Sequence, residues 1–149
     1  GVRMAIATTT SASNVDALLR SHLGDGWTAA FSAVVCGADV QRKKPDPEVY
    51  RRVLDALAIA PSEALALEDS PDGASAATAA GIAVVVTRSR YFASAPIRSA
   101  LAIGPGLHRR DGWQPALAGG GSAGGRVRLA DLRFLFDIHR ACSGIPEAQ

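Results

Sequence analysis

The sequence predicts an α/β protein with a doubly wound parallel sheet and helices on both faces. Short apolar runs alternate with helical patterns along residues 3–86, in the order strand, helix, strand, helix, strand, helix, strand. The last run, residues 82–86 (IAVVV), is apolar and rich in β-branched residues, which is typical of a parallel strand buried on both faces. Right-handed crossovers place the ligand-binding edge of such a sheet at the carboxyl ends of its strands.

The first predicted strand, residues 3–7 (RMAIA), is followed directly by four hydroxyl residues: Thr8, Thr9, Thr10 and Ser11. The helical pattern from residue 12 onward predicts a single buried stripe, made of Val15, Leu18, Leu19 and Leu23. A strand-to-helix junction with hydroxyls and free amides suits an anion, because the unsatisfied N–H groups and the helix dipole face the ligand. One hydroxyl is needed to cap the helix, and four exceed that need.

Two neighbouring lysines, Lys43 and Lys44, precede the second predicted helix and are the only lysines among sixteen basic residues. Residues 33–36 predict the second strand, and Asp46 and Pro47 predict the N-cap and first position of the helix. The inner face of that helix is predicted to hold Val49, Val53 and Leu57. Pro45 favours an extended Lys44, whose ammonium group can then reach the mouth of the sheet. The alternative is a pair of solvated lysines on a loop.

The third predicted strand, residues 64–67 (ALAL), runs into two carboxylates, Glu68 and Asp69. Ser70 is placed to cap the next helix, Pro71 suits its first position, and Gly81 ends it. Two carboxylates at the ligand-binding edge repel each other unless a cation lies between them, and oxygen ligands of this kind suit Mg²⁺. The alternative is that both simply end the strand in solvent.

The chain divides into three predicted parts. Residues 1–90 form the sheet, residues 91–128 form an irregular Gly- and Pro-rich extension with a short strand at 100–103, and residues 129–142 form a helix that docks on the domain. Within the extension, residues 119–125 (GGGSAGG) have the composition of a flexible loop. The stripe of the last helix is predicted to hold Leu129, Leu132, Leu135, Phe136 and His139.

Composition excludes several classes of function. The 149 residues are 48% hydrophobic, which supports one domain with a core, and the net charge of +2 argues against a nucleic-acid partner. No apolar run approaches the roughly 20 residues that a membrane span needs, so no membrane partner is expected. Cys36 and Cys142 are far apart, without a CxxC pattern. We expect a cytoplasmic protein, or a plastid stromal one if a transit peptide precedes Gly1.

Three segments resemble, in order and spacing, the second to fourth signature motifs of the haloacid dehalogenase-like (HAD) hydrolases. They are residues 5–11 (AIATTTS), 43–50 (KKPDPEVY) and 64–81 (ALALEDSPDGASAATAAG). The EDSxxGxxAAxxAG form resembles the phosphatase and β-phosphoglucomutase-like subgroup. The resemblance is strong over about residues 2–92. The rest, including residues 89–92 (SRYF) and 104–113 (GPGLHRRDGW), resembles more loosely the CbbY-like branch, which is associated with pentose bisphosphates of the Calvin cycle.

The resemblance implies a Rossmann-like core and an Mg²⁺-dependent phosphatase that acts on a small phosphorylated substrate, a sugar phosphate or bisphosphate. Thr8 matches the hydroxyl that binds the transferring phosphoryl group, with the amide of Thr9 nearby. Lys44 matches the lysine that neutralises the phosphoryl group and the nucleophile, and Glu68 and Asp69 match the carboxylates that hold Mg²⁺. In the implied chemistry an Asp attacks phosphorus and water cleaves the aspartyl-phosphate.

The family's first motif, DxDGT or DxDGV, does not occur in these 149 residues, and neither does the cap domain that follows it. Since that motif supplies the attacking Asp, the resemblance implies a carboxyl-terminal portion that is inactive alone. The absent strand would lie between the strands that end at Thr8 and Glu68, so we expect their inner edges to be unpaired.

Two alternatives stand beside the phosphatase. One is an inactive truncated paralogue that serves as a binding or regulatory module and pairs its open sheet with a partner strand. The other is a receiver-like or nucleotide-binding domain. A receiver domain needs an early acidic pair and a phosphoacceptor Asp at a later strand end, and a nucleotide loop needs GxGxxG or GxxxxGKS/T after a strand, so the absence of both patterns disfavours this alternative.

Overall fold

The computed structural model describes residues 1–117, 125–142 and 144. The five strands of this part of the chain are Ala5–Ala7 (β1), Ala33–Val35 (β2), Leu65–Glu68 (β3), Ala83–Thr87 (β4) and Ala102–Gly104 (β5). Its four α-helices are Ala12–Leu23 (α1), Glu48–Leu57 (α2), Pro71–Ala79 (α3) and Leu129–Cys142 (α4). All but the last residue of the predicted loop at 119–125 lies outside the described residues.

The strands form two separate parallel sheets. In the first, β1 pairs with β2, with Ile6 opposite Val34. In the second, the order is β3, β4, β5, with Leu67 opposite Val85 and Val86 opposite Ile103. The predicted parallel α/β architecture is confirmed. Among the described residues no strand pairs with the second edge of β1 or of β3, which agrees with the expectation that their inner edges are open.

Helices cover both faces of these sheets, as predicted. Val84 and Val86 are fully buried in the core cluster that includes α2 and α3. Val85 points to the opposite face, where it packs with Trp113 and with Leu135 of α4. This alternation is the period-two geometry of a strand buried on both sides, and it explains why the sequence of β4 is apolar at successive positions. Within the described residues, no helix is long and apolar enough to cross a bilayer.

The predicted stripe of α1 is only half right. Val15 is buried and Leu19 packs beside it, but Leu18 is 59% and Leu23 55% exposed. The buried side of α1 contacts Trp27, which is 6% exposed and donates its indole N–H to the Asp16 carboxylate. Successive residues of a helix are 100° apart around its axis. Because Trp27 covers only a narrow strip of α1, Leu18 and Leu23 remain in solvent.

Helix α2 begins slightly later than predicted. Pro47 occupies the N-cap, and Asp46 caps from one residue earlier by accepting the N–H of Glu48 at 2.9 Å. Val49 and Val53 are buried and Leu57 is partly buried, as predicted. The inner face also contains two residues that the prediction missed, Tyr50 and Leu54.

Helix α4 docks on the second sheet through Leu135, with Leu132 packed beside it. The predicted stripe is wrong at Leu129, which is 50% exposed. The start of this helix is instead held by Asp131, which accepts the N–H of Arg128 at 2.7 Å and forms an ion pair with Arg110. A helix end that is fixed by polar contacts does not need an apolar first residue.

Candidate active site

One cavity, of about 370 Å³, lies where the carboxyl ends of β1 and β3 meet the loop before α2. It is lined by Thr9, Lys44, Asp69, Ser70, Pro71, Asp72 and Phe92. The three segments that the sequence singled out therefore meet at one edge of the molecule. This is the edge at which open α/β sheets bind ligands.

Lys44 connects the two sheets across this edge. Its Nζ donates to the carbonyl oxygen of Ala7 at 3.0 Å, at the end of β1, and to Oε1 of Glu68 at 2.5 Å, at the end of β3. The side chains of Lys44 and Glu68 are 14% and 7% exposed, so this ion pair is largely desolvated. A buried charge pair of this kind persists only where each partner has further hydrogen bonds, and both partners have them here.

Glu68 is held from three sides. Its Oε1 accepts from Lys44 and from the hydroxyl of Tyr50, while Oε2 lies against the backbone of Gly73. Burial and, after it, the Glu68 carboxylate raise the pKa of Tyr50 far above its ordinary value, so the phenol stays protonated and donates. A Cβ at position 73 would lie 1.8 Å from Oε2. Only glycine therefore lets the carboxylate occupy this place at the start of α3.

The hydroxyl residues after β1 have separate roles. Ser11 caps α1 by accepting the N–H of Asn14 at 3.3 Å, and Thr10 Oγ1 accepts from the Asn14 amide at 3.1 Å. Thr8 Oγ1 accepts the N–H of Thr10 at 3.2 Å. Of the four hydroxyl residues, Thr9 lines the cavity. The surplus of hydroxyls thus fixes a tight turn that presents Thr9 to the site.

Gly37 supports this turn from the end of β2. Its N–H donates to the carbonyl of Thr10 at 2.7 Å, and a Cβ at this position would lie 2.2 Å from the carbonyl oxygen of Thr9. The backbone of the Thr turn therefore rests directly on the Cα of Gly37. A side chain here would displace the turn that carries Thr9.

The carboxylates suit a magnesium ion that is shared with a phosphate. Asp69 is exposed and lines the cavity, and Asp72 lines it beside Asp69. The described residues contain no group of three or more His, Cys, Asp or Glu side chains that could hold a metal. Mg²⁺ takes one or two carboxylates together with phosphate oxygens and water, so the set fits it, whereas a site made wholly of protein ligands is not formed.

The structure thus brings Thr9, Lys44 and Asp69 to the cavity wall, with Glu68 held directly behind Lys44. Thr8 stands in the turn and does not line the cavity, so its phosphate-binding role stays a prediction. The sequence reasoning missed Tyr50, Gly37, Gly73 and Phe92. A signal for Tyr50 was available, since it lies three and four residues before Val53 and Leu54 on the apolar face of α2.

A second cavity, of about 460 Å³, lies at the carboxyl ends of β4 and β5. Its walls include Arg88, Ser89 and Gly104, and none of the predicted site residues lines it. The residues that the motifs single out therefore lie at the smaller cavity, where Thr9, Lys44 and Asp69 come from three separate segments of the chain.

Comparison with known proteins gives a consistent result. The family model of the haloacid dehalogenase-like hydrolases matches residues 1–87. Protein CbbY of Cupriavidus necator is 44% identical over 107 residues, which cover 72% of this chain and 42% of that protein. A phosphorylated carbohydrates phosphatase of Thermotoga maritima is 39% identical over 80 residues, which cover 54% of this chain and 37% of that protein. The chain spans less than half the length of these relatives.

Solved structures agree with these matches. CbbY from Rhodobacter sphaeroides superimposes with a TM-score of 0.65 at 40% identity, over 67% of this chain and 44% of that one. It has been crystallised in complex with phosphate and, as a mutant, in complex with xylulose-(1,5)bisphosphate.

Proposed function

Because this chain belongs to the haloacid dehalogenase-like hydrolase family, we propose that it carries the phosphate- and Mg²⁺-binding part of a phosphatase for a small sugar phosphate or bisphosphate. The observation that carries the proposal is the position of Lys44. Its ammonium group donates to the last residue of β1 and to the last residue of β3, one in each sheet. Lys44 also lines the cavity, together with Thr9 and Asp69. The proposed substrate class is inferred from two relatives. One has been crystallised with xylulose-(1,5)bisphosphate, and the other is a phosphatase of phosphorylated carbohydrates.

Each residue has a distinct task in this proposal. The amide and hydroxyl of Thr9 bind a phosphoryl oxygen, and Lys44 offsets the negative charge that phosphoryl transfer gathers on the equatorial oxygens. Asp69, at the cavity wall, would hold Mg²⁺, which would supply further charge neutralisation to the phosphoryl group. Glu68 does not line the cavity, so its metal role stays a prediction and its task here is to hold Lys44. Phe92 gives one part of the cavity wall an apolar surface.

The attacking carboxylate must come from outside these 149 residues, since they contain no DxD motif. The division of the structure into two sheets supports this part of the proposal. β1 and β3 each keep one edge without a strand partner among the described residues, and Lys44 bridges the ends of these same two strands. We infer that one extended segment pairs between them and brings the nucleophile to Thr9 and Lys44.

The test is binding of phosphate by the chain as it stands. Titration with inorganic phosphate in the presence of Mg²⁺, followed by calorimetry, is expected to show weak binding that Lys44→Met and Asp69→Asn each reduce at least about tenfold, the scale of a lost charge-assisted contact. Lys43→Met is the matched control, because Lys43 is exposed and should leave the affinity unchanged. Equal affinity in all four proteins would refute the proposal.

Hydrolysis provides a second readout. The chain alone should not hydrolyse p-nitrophenyl phosphate with Mg²⁺, because the nucleophile is absent. If the chain alone does hydrolyse this substrate and Asp69→Asn abolishes the activity, the proposed phosphatase function stands. The inference that the attacking carboxylate lies outside these residues would then be overturned.

The open strand edges also favour a second candidate, an inactive binding module that accepts an extended strand from a partner. Unpaired edges of this kind are templates for such pairing. The module should form a stable dimer or complex, which size-exclusion chromatography with light scattering would detect. A phosphatase part is instead expected to regain Mg²⁺-dependent hydrolysis when mixed with a peptide that carries a strand and a DxDGT segment.

A further inference from the structure

Tyr50 contacts both charged groups of the site. It lies on α2, is 7% exposed, and donates its hydroxyl hydrogen to Oε1 of Glu68. The face of its ring lies 5.0 Å from the Nζ of Lys44, measured to the ring centroid. A residue that only filled the core could be phenylalanine, because burying a hydroxyl is unfavourable unless the hydroxyl is paired.

The contacts of Lys44 leave one N–H for a ligand. An ammonium group has three donors, and within the described part of the chain two of them are used, on the carbonyl of Ala7 and on Glu68. Lys44 also lines the cavity. With two donors fixed, the direction of the third is fixed as well, because the three N–H bonds are tetrahedral.

Glu68 can serve as the anchor only if it does not rotate. On one side its Oε2 lies against Gly73, and on the other Tyr50 and Lys44 share Oε1. Without the phenol, Lys44 alone would restrain Oε1, and the carboxylate and the ammonium group could move together. The hydroxyl of Tyr50 therefore fixes Glu68, and the ring of Tyr50 limits the movement of Lys44.

We propose that Tyr50 is a positioning residue, whose hydroxyl and ring hold Glu68 and Lys44 so that the third N–H of Lys44 is directed at an anion in the cavity. The part of this proposal that concerns the anion rests on the proposed function, whereas the positioning of Glu68 and Lys44 by Tyr50 does not. Tyr50 does not touch the anion, and it acts through its two charged neighbours.

The composition of the chain allows a direct test. It contains two lysines, Lys43 and Lys44, and two tyrosines, Tyr50 and the 82% exposed Tyr91. NMR of the chain with ¹³C-labelled lysine therefore gives one signal from the site and one internal reference. Tyr50→Phe keeps the ring and removes only the hydroxyl, and Tyr91→Phe is the matched control.

In Tyr50→Phe the ¹³Cε signal of Lys44 is expected to move toward that of Lys43, and affinity for phosphate with Mg²⁺ should fall about five- to tenfold, the scale of one ordinary hydrogen bond, because Tyr50 acts on the anion only through Lys44. Tyr91→Phe should change neither. If the Lys44 signal and the affinity are unaltered in Tyr50→Phe, or if Tyr91→Phe alters them equally, the positioning role is overturned.

Two further readings separate this inference from the proposed function. If Tyr50→Phe moves the Lys44 signal but phosphate and Mg²⁺ move no signal in the wild type, the positioning role stands and the proposed function falls. If Tyr50→Phe does not fold, NMR of the wild-type chain with ¹³Cζ-labelled tyrosine tests the positioning role instead. The Tyr50 signal must then shift on addition of phosphate and Mg²⁺ while that of Tyr91 stays fixed, and an unmoved Tyr50 signal overturns the role.

Discussion

The ammonium group of Lys44 lies 3.0 Å from the carbonyl oxygen of Ala7, a residue 37 positions earlier in the chain. This contact joins the loop before α2 to the open edge of β1, and the second contact of Lys44, to Glu68, joins the same loop to β3. One side chain therefore ties together two sheets that share no strand pairing among the described residues. Gly73 and Gly37 keep this arrangement in place by leaving room for Glu68 and for the turn that carries Thr9.

Gly73→Ala is expected to displace Glu68. The new Cβ would overlap Oε2 at 1.8 Å, so the carboxylate or the start of α3 must shift, at a cost of about 1 to 3 kcal/mol in unfolding free energy. Affinity for phosphate with Mg²⁺ should fall as well, because a displaced Glu68 no longer holds Lys44 in place. Urea denaturation and calorimetry measure the two effects. Gly26→Ala is the control, since nothing lies within 4 Å of a Cβ there.

Gly37→Ala is expected to weaken phosphate binding more than it weakens the fold. Its Cβ would lie 2.2 Å from the carbonyl oxygen of Thr9, and the turn of residues 8–10, which is only partly buried, can shift more easily than the core. A displacement of this turn moves Thr9 away from Lys44. Phosphate titration should show at least a threefold loss of affinity, about 0.7 kcal/mol in binding free energy. Unchanged affinity would mean that Thr9 does not contribute to binding.

Asp131→Ala is expected to loosen α4. Asp131 is 8% exposed and pairs with Arg110, whose side chain is 10% exposed, so the variant leaves a poorly solvated guanidinium and an uncapped helix end. We expect a loss of about 2 to 3 kcal/mol, below the usual cost of breaking a fully buried pair. Asp137→Ala, at an exposed position of the same helix, should change stability by less than about 0.5 kcal/mol. Equal losses in the two variants would contradict the assigned role.

Acid should remove the contribution of Asp131. Burial alone would raise the pKa of this carboxyl, but the N–H of Arg128 and the Arg110 guanidinium outweigh burial and hold it below its ordinary value. A carboxyl with a lowered folded pKa stabilises the protein above its unfolded pKa and loses that contribution as the pH falls through the folded value. The stability difference between wild type and Asp131→Asn should therefore be constant above about pH 5 and shrink below about pH 4. Chemical denaturation at several pH values measures it, and a difference independent of pH would contradict this account.

The outcomes of the sequence predictions follow a physical division. The order of strands and helices, the capping of α3 by Ser70, and the edge at which Thr9, Lys44 and Asp69 meet were all predictable. These features depend on local patterns, namely the spacing of apolar residues, caps and proline, and on the handedness of the crossovers. Local patterns also predicted the parallel sheet, because its strands alternate with helices.

Other features were decided only by the tertiary structure. The exposure of Leu18 depends on how Trp27 packs on α1, the role of Tyr50 depends on a carboxylate 18 residues away, and Gly73 is required because of the conformation of Glu68. The spacing of residues along a single helix or strand predicts none of these contacts. The amino-acid sequence by itself determined which groups lie at the ligand-binding edge, where the carboxyl ends of the strands meet. The packing between elements decided which of them face the cavity and which hold the others in place, because contacts between distant residues exist only once the chain is folded.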